Sequence, residues 1–400
     1  MRNNSPPDVT VNDIVQKCFD LYDQLPKTGK PVESEWTVLS CVVKYDSTIE
    51  KHEVVSLGTG SKCVGASKMS PSGDILNDSH AEVFARRGFL LYLYDNLYEN
   101  SPIFNKVGNK FKLKKNISFI FYSSQLPCGD ASIVPKAGEE ELYGEVIQIK
   151  RLAEEDICDT ANKRFKSEPD IYRTGAKCLP DCEQDPKEDG VKYHLTGCVR
   201  TKPGRGDRTL SVSCSDKMAR WIHVGFQGAL IDMFLEEPIF INHFIFGAGV
   251  PFSHESLKRA LLERNGMPSE RCVVPYLYQT KLPFVQRRTD DNVRPAPGSI
   301  VCLEVAVQGR KSGMTKKKAA CPRNALCISK YKLFERFHDA IKDNSELKHE
   351  LFCEQPVENM PYNEMKKMSK RYSKDWSRLQ ESFFRTWTVK PDIWNFVINK

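Results

Sequence analysis

The chain has 400 residues, 40% hydrophobic and 28% charged, which is enough apolar material for a sizeable core and excludes a disordered chain. Its formal net charge of +7, from 59 basic and 52 acidic residues, suits an acidic partner such as RNA without requiring one. No apolar run of about 18 residues could span a membrane, and Met1 to Val11 is polar with two prolines instead of a charged-then-apolar leader, so an intracellular place is expected, cytoplasm or nucleus. Fourteen cysteines in such a chain read as reduced thiols, mostly small buried side chains with a few metal ligands.

Residues 1–10 read as a flexible leader; helical periodicity starts in Asp13–Leu25 and is broken by the Pro-, Gly- and Lys-rich stretch Lys27–Val32. Alternation predicts strands over Trp36–Lys44 and Glu53–Leu57, then a polar, glycine-punctuated connection ends at Asn77 and Asp78, natural helix caps. A helix is predicted over Ala81–Tyr98, a strand over Ile117–Tyr122 and a helix start at Pro127–Cys128. From about 159 to 192 the chain is charged, rich in Pro and Asp and weakly periodic, the pattern of a surface insertion that adds little to a core. Beyond it come a strand at Thr209–Ser213, a long helix Asp216–Phe234, strands at Pro238–Phe246 and Ile300–Val307, and helices around Glu255–Glu263, Lys330–Ile341 and Asn363–Thr386. With no internal repeat and no linker, residues 11–400 read as one α/β domain.

His80, Cys128 and Cys214 each fall where a polar or strand-like stretch turns into an apolar helix, and Glu82 lies two positions after the histidine. One imidazole and two thiolates leave a tetrahedral zinc ion one open position for water, and a nearby carboxylate can carry the protons of hydrolysis. On a regular helix, residues two apart point about 200° away from each other, so His80 and Glu82 converge only if the histidine is still near the cap, where Asn77-Asp78-Ser79 places it. Cys128 and Cys214, each read at a helix N-terminus, gain the dipole and free amides that favour a thiolate. This set most resembles the nucleobase deaminases, although their Pro-Cys-x-x-Cys ending is replaced by Cys128-Gly129-Asp130-Ala131 and a second thiol 86 residues later.

The residues around these ligands match a family. Asn77-Asp78-Ser79-His80-Ala81-Glu82 with Arg86-Arg87, then Leu126-Pro127-Cys128-Gly129-Asp130, then Ser213-Cys214-Ser215-Asp216-Lys217 through Ala219-Arg220-Trp221 resemble the deaminase domain of the RNA-editing adenosine deaminases. Trp387-Thr388-Val389-Lys390-Pro391 extends the resemblance over nearly the whole chain. It implies a cytidine-deaminase-like core, a mixed sheet flanked by helices, elaborated into one large α/β editase domain. It further implies hydrolytic deamination of adenosine to inosine, with one catalytic zinc on His80, Cys128 and Cys214 and with Glu82 as proton shuttle. No double-stranded-RNA-binding module precedes the domain, so the chain looks most like the tRNA-specific branch, whose eukaryotic enzyme acts on the adenosine 3′ of the anticodon in alanine tRNA. The partner implied is tRNA, and no segment signals an obligate protein partner.

Cations in helices otherwise fit for a core cannot be buried unpaired. The relatives enclose an inositol hexakisphosphate behind the zinc, and the matching positions are Arg86, Arg87, Lys202, Lys217, Arg220, Trp221, Lys330, Tyr362, Lys366, Tyr372, Trp387 and Lys390, with Trp376 standing where a lysine is expected. The basic loop Lys202–Arg208 aligns with the base-flipping loop of the relatives, which makes Arg205, Asp207 and Arg208 candidate RNA contacts; Asp207 stands where they carry a glutamate. Lys316, Lys317 and Lys318, after Gly309-Arg310-Lys311, form a second basic stretch able to track phosphates.

Cys178 and Cys182, with Cys158, His194 and Cys198 nearby in sequence, have the composition of a structural zinc site but a loose spacing. Two other functions stay open. An editor of double-stranded or messenger RNA would carry appended modules, for which 400 residues leave no room. A non-catalytic zinc-containing RNA-binding protein would need a fourth protein ligand or lack Glu82.

Overall fold

A computed structural model describes residues 8–136, 170–204, 206–264, 273–353 and 355–398. At its centre lie eight strands: β1 Leu39–Asp46, β2 Lys51–Thr59, β3 Ile117–Ser123, β4 His243–Phe246, β5 Tyr276–Gln279, β6 Gly298–Val301, β7 Glu304–Val307 and β8 Arg310–Lys311. They form one sheet in the order β5-β4-β3-β1-β2-β6-β7-β8. β5, β4 and β3 pair in parallel and every other neighbouring pair is antiparallel, so the sheet is mixed, as expected.

Side chains alternate between the two faces of a strand, and both faces here are covered. On one side α1 (Asp8–Gln24) lays Val11, Ile14, Val15, Cys18 and Tyr22 over Cys41, Val43, Ile120, Tyr122 and Ile245. On the other, Val42, Phe119, Phe121, Phe244 and Phe246 enter a larger core with α2 (Ala81–Tyr94) and α3 (Cys214–Val224). Burial on both faces is why Ile117–Ser123 reads as a nearly unbroken apolar run. Gly58 of β2 lies under α2, where a Cβ would come within 2.5 Å of the Ala85 nitrogen and 2.6 Å of the Phe84 Cβ. Only glycine allows helix and strand to approach so closely, and that approach brings the N-terminus of α2 to the strand ends.

Several predicted elements differ from those observed. The helix read over Asp216–Phe234 is two, α3 and Gly228–Asp232, because Gly225 takes φ +99° and ends the first. Ile300–Val307 is the hairpin of β6 and β7, turned by Cys302 and Leu303 at φ 48° and 63°, a left-handed turn with none of the usual glycine or asparagine. Thr209–Ser213 makes a single bridge, Thr201 with Val212, instead of a strand. Asn363–Thr386 divides into Tyr362–Lys367, Lys370–Leu379 and a π-helical turn at Gln380–Phe384.

The segment read as an insertion is divided as well. Residues 159–169 lie outside the described residues, but 170–192 contribute to the core: Leu179 joins the larger cluster, and Asp185 holds the fully buried Arg200. Among the described residues no helix is long and apolar enough to cross a membrane.

Candidate metal centre and active site

His80 caps α2 in an extended conformation, φ −68° and ψ 143°, with the Asp78 carboxylate accepting its amide at 3.0 Å. Because the histidine precedes the helix, Glu82 in the first turn can face the same space, as the sequence requires. Cys214 is the first residue of α3, whose cap Ser213 accepts the amide of Asp216. Cys128 differs from expectation: it starts no α-helix, and is followed by Gly129 and a single 3-10 turn, Asp130–Ser132. Gly129 takes φ +105°, and a Cβ on it would lie 2.3 Å from the Ser213 hydroxyl, so glycine is what lets the two cysteine-bearing stretches touch. The dipole help for Cys128 comes from its neighbour instead, through the Cys214 amide that donates to its sulfur at 3.4 Å.

His80 Nδ1 lies 3.9 Å from Cys128 Sγ and 3.6 Å from Cys214 Sγ, and the three donor atoms are all within 4.8 Å of one another. Ligands held about 2.0 to 2.3 Å from a tetrahedral metal stand about 3.6 Å apart, so this group fits zinc with a fourth position free of protein. The Cys128 thiol is held well below its ordinary pKa, first by its hydrogen bond with Cys214 and then by Lys202 and His80, which suits a metal ligand. Cys63, Asp78 and His80 also converge, but Asp78 is already committed to two lysines, so the first group is the better site.

Asp78 is the crossing point of the site. Its carboxylate meets Lys202 Nζ at 2.8 Å and pairs with Lys217, while Lys202 Nζ lies 3.0 Å from Cys214 Sγ. Burial opposes charge on Lys202, yet Asp78 and Cys214 outweigh it and hold its pKa well above the usual value. Burial likewise opposes the carboxylate of Asp78, and the two lysines win, keeping it well below the usual range.

Glu82 is 3% exposed, and among the described residues its Oε2 has no hydrogen-bond partner. Burial raises its pKa, the direction a proton carrier near neutral pH needs. A cavity of about 550 Å³ opens on His80 and Cys128 and is walled by Lys62, Gly175, Ala176, Lys202 and Gly309, ample for one nucleoside. Asp207 borders it, but its carboxylate is engaged by Ser67, accepting from the amide at 3.0 Å and the hydroxyl at 2.5 Å. Arg208 is exposed beside it, and Arg205 lies outside the described residues. Lys316, Lys317 and Lys318 project from a short exposed helix, whereas Arg310 and Lys311 are paired with Asp74 and Glu304.

Behind the metal group a second cavity, of about 370 Å³, gathers Arg86, Arg87, Lys217, Arg220, Lys330, Lys366 and Lys390 with Trp221, Tyr362, Tyr372 and Trp387; among the described residues Asp78 is its one acidic lining residue. Lys202 is the exception to the expected set. It stays out of this wall because Asp78 and Cys214 already claim its ammonium. Trp376, in place of a further lysine, stacks on Arg220 with the guanidinium 3.7 Å from a ring centre. Burial, then neighbouring cations, push Lys366 down to about 7 and Arg86 to about 10. Arg87 and Arg220 each keep a buried nitrogen without a partner among the described residues.

The cysteine-rich stretch behaves differently from a zinc site. Arg200 occupies its centre, bound to Asp185 at 2.6 Å with His194 on the same carboxylate, and Cys158 lies outside the described residues. The roles of Asp78, which the sequence presents as a helix cap, and of Arg200 and Asp185 emerge only in the fold. An aspartate two positions before a candidate zinc-ligating histidine is the available sign for the first.

The sequence matches the adenosine-deaminase (editase) domain family over residues 56–391. It is 36% identical over 411 residues to a tRNA-specific adenosine deaminase 1 of Drosophila melanogaster, covering 98% of this chain and 97% of that protein. The Homo sapiens protein of the same description is 33% identical over 497 residues, covering 96% and 98%. A double-stranded RNA-specific adenosine deaminase of Mus musculus is 31% identical over 61% of this chain but 20% of its own length. A family match of this span, carried through every stretch that supplies the imidazole, the two sulfurs and the carboxylate, makes the chain a member of the adenosine-deaminase (editase) domain family.

Proposed function

We propose that the chain hydrolyses adenosine to inosine and ammonia in tRNA, at the adenosine 3′ of the anticodon in alanine tRNA. The observation that carries the chemistry is the convergence of His80, Cys128 and Cys214 beside the buried Glu82. Similarity along almost the full length to tRNA-specific relatives supports the substrate class.

A zinc ion on the three side chains would act as a Lewis acid and lower the pKa of a water from about 15.7 towards about 7. Glu82 Oε2 takes a proton from the attacking water and passes it to N1 of adenine as C6 becomes tetrahedral; it then moves the proton of the new C6 hydroxyl to the departing amine, leaving the C6 carbonyl of inosine and ammonia. Lys202, braced by Asp78, fixes Cys214 through its contact with the sulfur. The target base must leave its stack, which costs a few kcal/mol and least in a single-stranded loop such as an anticodon loop. Arg208, next to the cavity-lining Asp207, and Lys316 to Lys318 are exposed cations that would meet RNA phosphates.

The cation-lined cavity is read as the seat of inositol hexakisphosphate. Seven basic side chains against one carboxylate among the described residues, with guanidinium nitrogens that find no partner among them, call for a compact polyanion that becomes part of the fold. Protein purified and then denatured is expected to release an inositol polyphosphate detectable by mass spectrometry; active enzyme that releases none overturns this assignment.

The substrate is tested by incubating the purified protein with total tRNA and sequencing for adenosine read as guanosine. A signal confined to the position 3′ of the anticodon in alanine tRNA is expected. Conversion of double-stranded RNA with none in tRNA would reject the reading.

A further inference from the structure

The deamination chemistry leaves one pair of thiols unused. Cys178 and Cys198 face each other with their sulfurs 3.8 Å apart. The short strands Lys177–Cys178 and Arg200–Thr201 pair antiparallel with Cys178 opposite Arg200, which sets Cys198 diagonally across the ladder. A disulfide is about 2.05 Å long, so the two sulfurs, already at 3.8 Å, have a short distance to close for the bond to form.

The surroundings favour reaction at one sulfur of the pair. Arg200 is fully buried beside the thiols and is fixed by Asp185 at 2.6 and 2.8 Å and by the Leu195 carbonyl at 2.6 Å. The hydrogen bond from Cys198 and then the charge of Arg200 outweigh burial and the Asp185 carboxylate, 3.5 Å from the sulfur, and hold the Cys178 thiol below its ordinary pKa, while Cys198 is pushed up and remains the proton-bearing partner. Cys178 is 5% exposed, and Cys198 is only partly buried, so the route to the pair suits a small reagent.

We propose that Cys178 and Cys198 are a reversible modification site, a dithiol that a hydroperoxide converts to a disulfide. The Cys178 thiolate attacks the terminal peroxide oxygen, the O–O bond breaks, and the leaving alkoxide or hydroxide takes up a proton. Cys178 is then a sulfenic acid. Cys198 attacks that sulfur, the S–S bond forms, and the hydroxyl leaves with the Cys198 proton as water. Two thiols and one hydroperoxide give one disulfide, one alcohol or water, and one water; the sulfurs together lose two electrons and the peroxide gains them.

The site lies one strand from the substrate cavity. Ala176, whose carbonyl accepts from Arg200 at 3.1 Å, and Gly175 both line that cavity. Two residues beyond Arg200, Lys202 touches Cys214.

The test exposes zinc-loaded enzyme to hydrogen peroxide, alkylates the remaining thiols and maps the peptides by mass spectrometry. The expected result is a loss of about 2 Da, a cross-link joining Cys178 to Cys198, reversal by dithiothreitol and unchanged zinc content, which keeps Cys128 and Cys214 out of the reaction. In Cys198→Ser the sulfenic acid on Cys178 should persist and be captured by dimedone. Should that variant fail to fold, the map of the unaltered protein decides alone. Full alkylation of both cysteines after peroxide treatment, with zinc still bound, overturns the proposal, as does a cross-link that joins other cysteines instead.

Discussion

Replacing Glu82 with glutamine is expected to lower kcat by about 10²- to 10⁴-fold while zinc content stays at the level of the unaltered enzyme. The substitution keeps the size and burial of a side chain that is 3% exposed, so packing is preserved and only the ability to hold and release a proton is removed. Glu82 offers an oxygen with no competing partner among the described residues, and burial has raised its pKa in the direction of the reaction's needs. Inosine formation measured beside metal content separates the two roles. A glutamine variant that edits at the normal rate would place the proton carrier elsewhere.

Asp78→Asn is expected to cost about 3 to 5 kcal/mol of stability, because it leaves cations buried without their counter-charge. Asp78 is the shared partner of Lys202, which is 2% exposed, and of Lys217. Among the described residues no other carboxylate lines the cavity on which Lys217 opens. Urea unfolding followed by circular dichroism gives the number directly. A loss under about 1 kcal/mol would mean that the two ammonium groups find other acceptors, and the account of Asp78 as the crossing point would fail. The same variant frees Lys202 from one of its two anchors, so weaker zinc retention against a chelator should accompany the loss.

The metal group was legible in the sequence because its residue types are rare and their chemistry is specific. His80, Cys128 and Cys214 lie far apart along the chain, and each sits at a junction where a strand or loop gives way to a different element. The mixed sheet was legible too, since strands buried on both faces read as apolar runs. Turns were harder. Cys302 and Leu303 reverse the chain in a left-handed conformation that neither residue type announces, so the β6–β7 hairpin looked like one strand. Lys202 stands with the cavity cations by resemblance alone, and its contacts with Asp78, 124 residues away, and with Cys214 hold it outside the wall. Arg200 and Asp185 were hidden for the same reason: a charged stretch looks solvated until its partner in the fold is known.

The wall of the cation-lined cavity has a consequence for the birth of the protein. Arg86 and Lys390 face the same space, and Phe396 stacks on Tyr362 with ring centres 5.1 Å apart. Synthesis adds about 5 to 20 residues per second from the N-terminus, so the early arginines wait in water while the stretch that completes their enclosure is still being made. A nascent chain that stops short of Lys390 lacks part of the wall that encloses Arg86 and Arg87. Those guanidiniums therefore keep their water until the C-terminal stretch has been made.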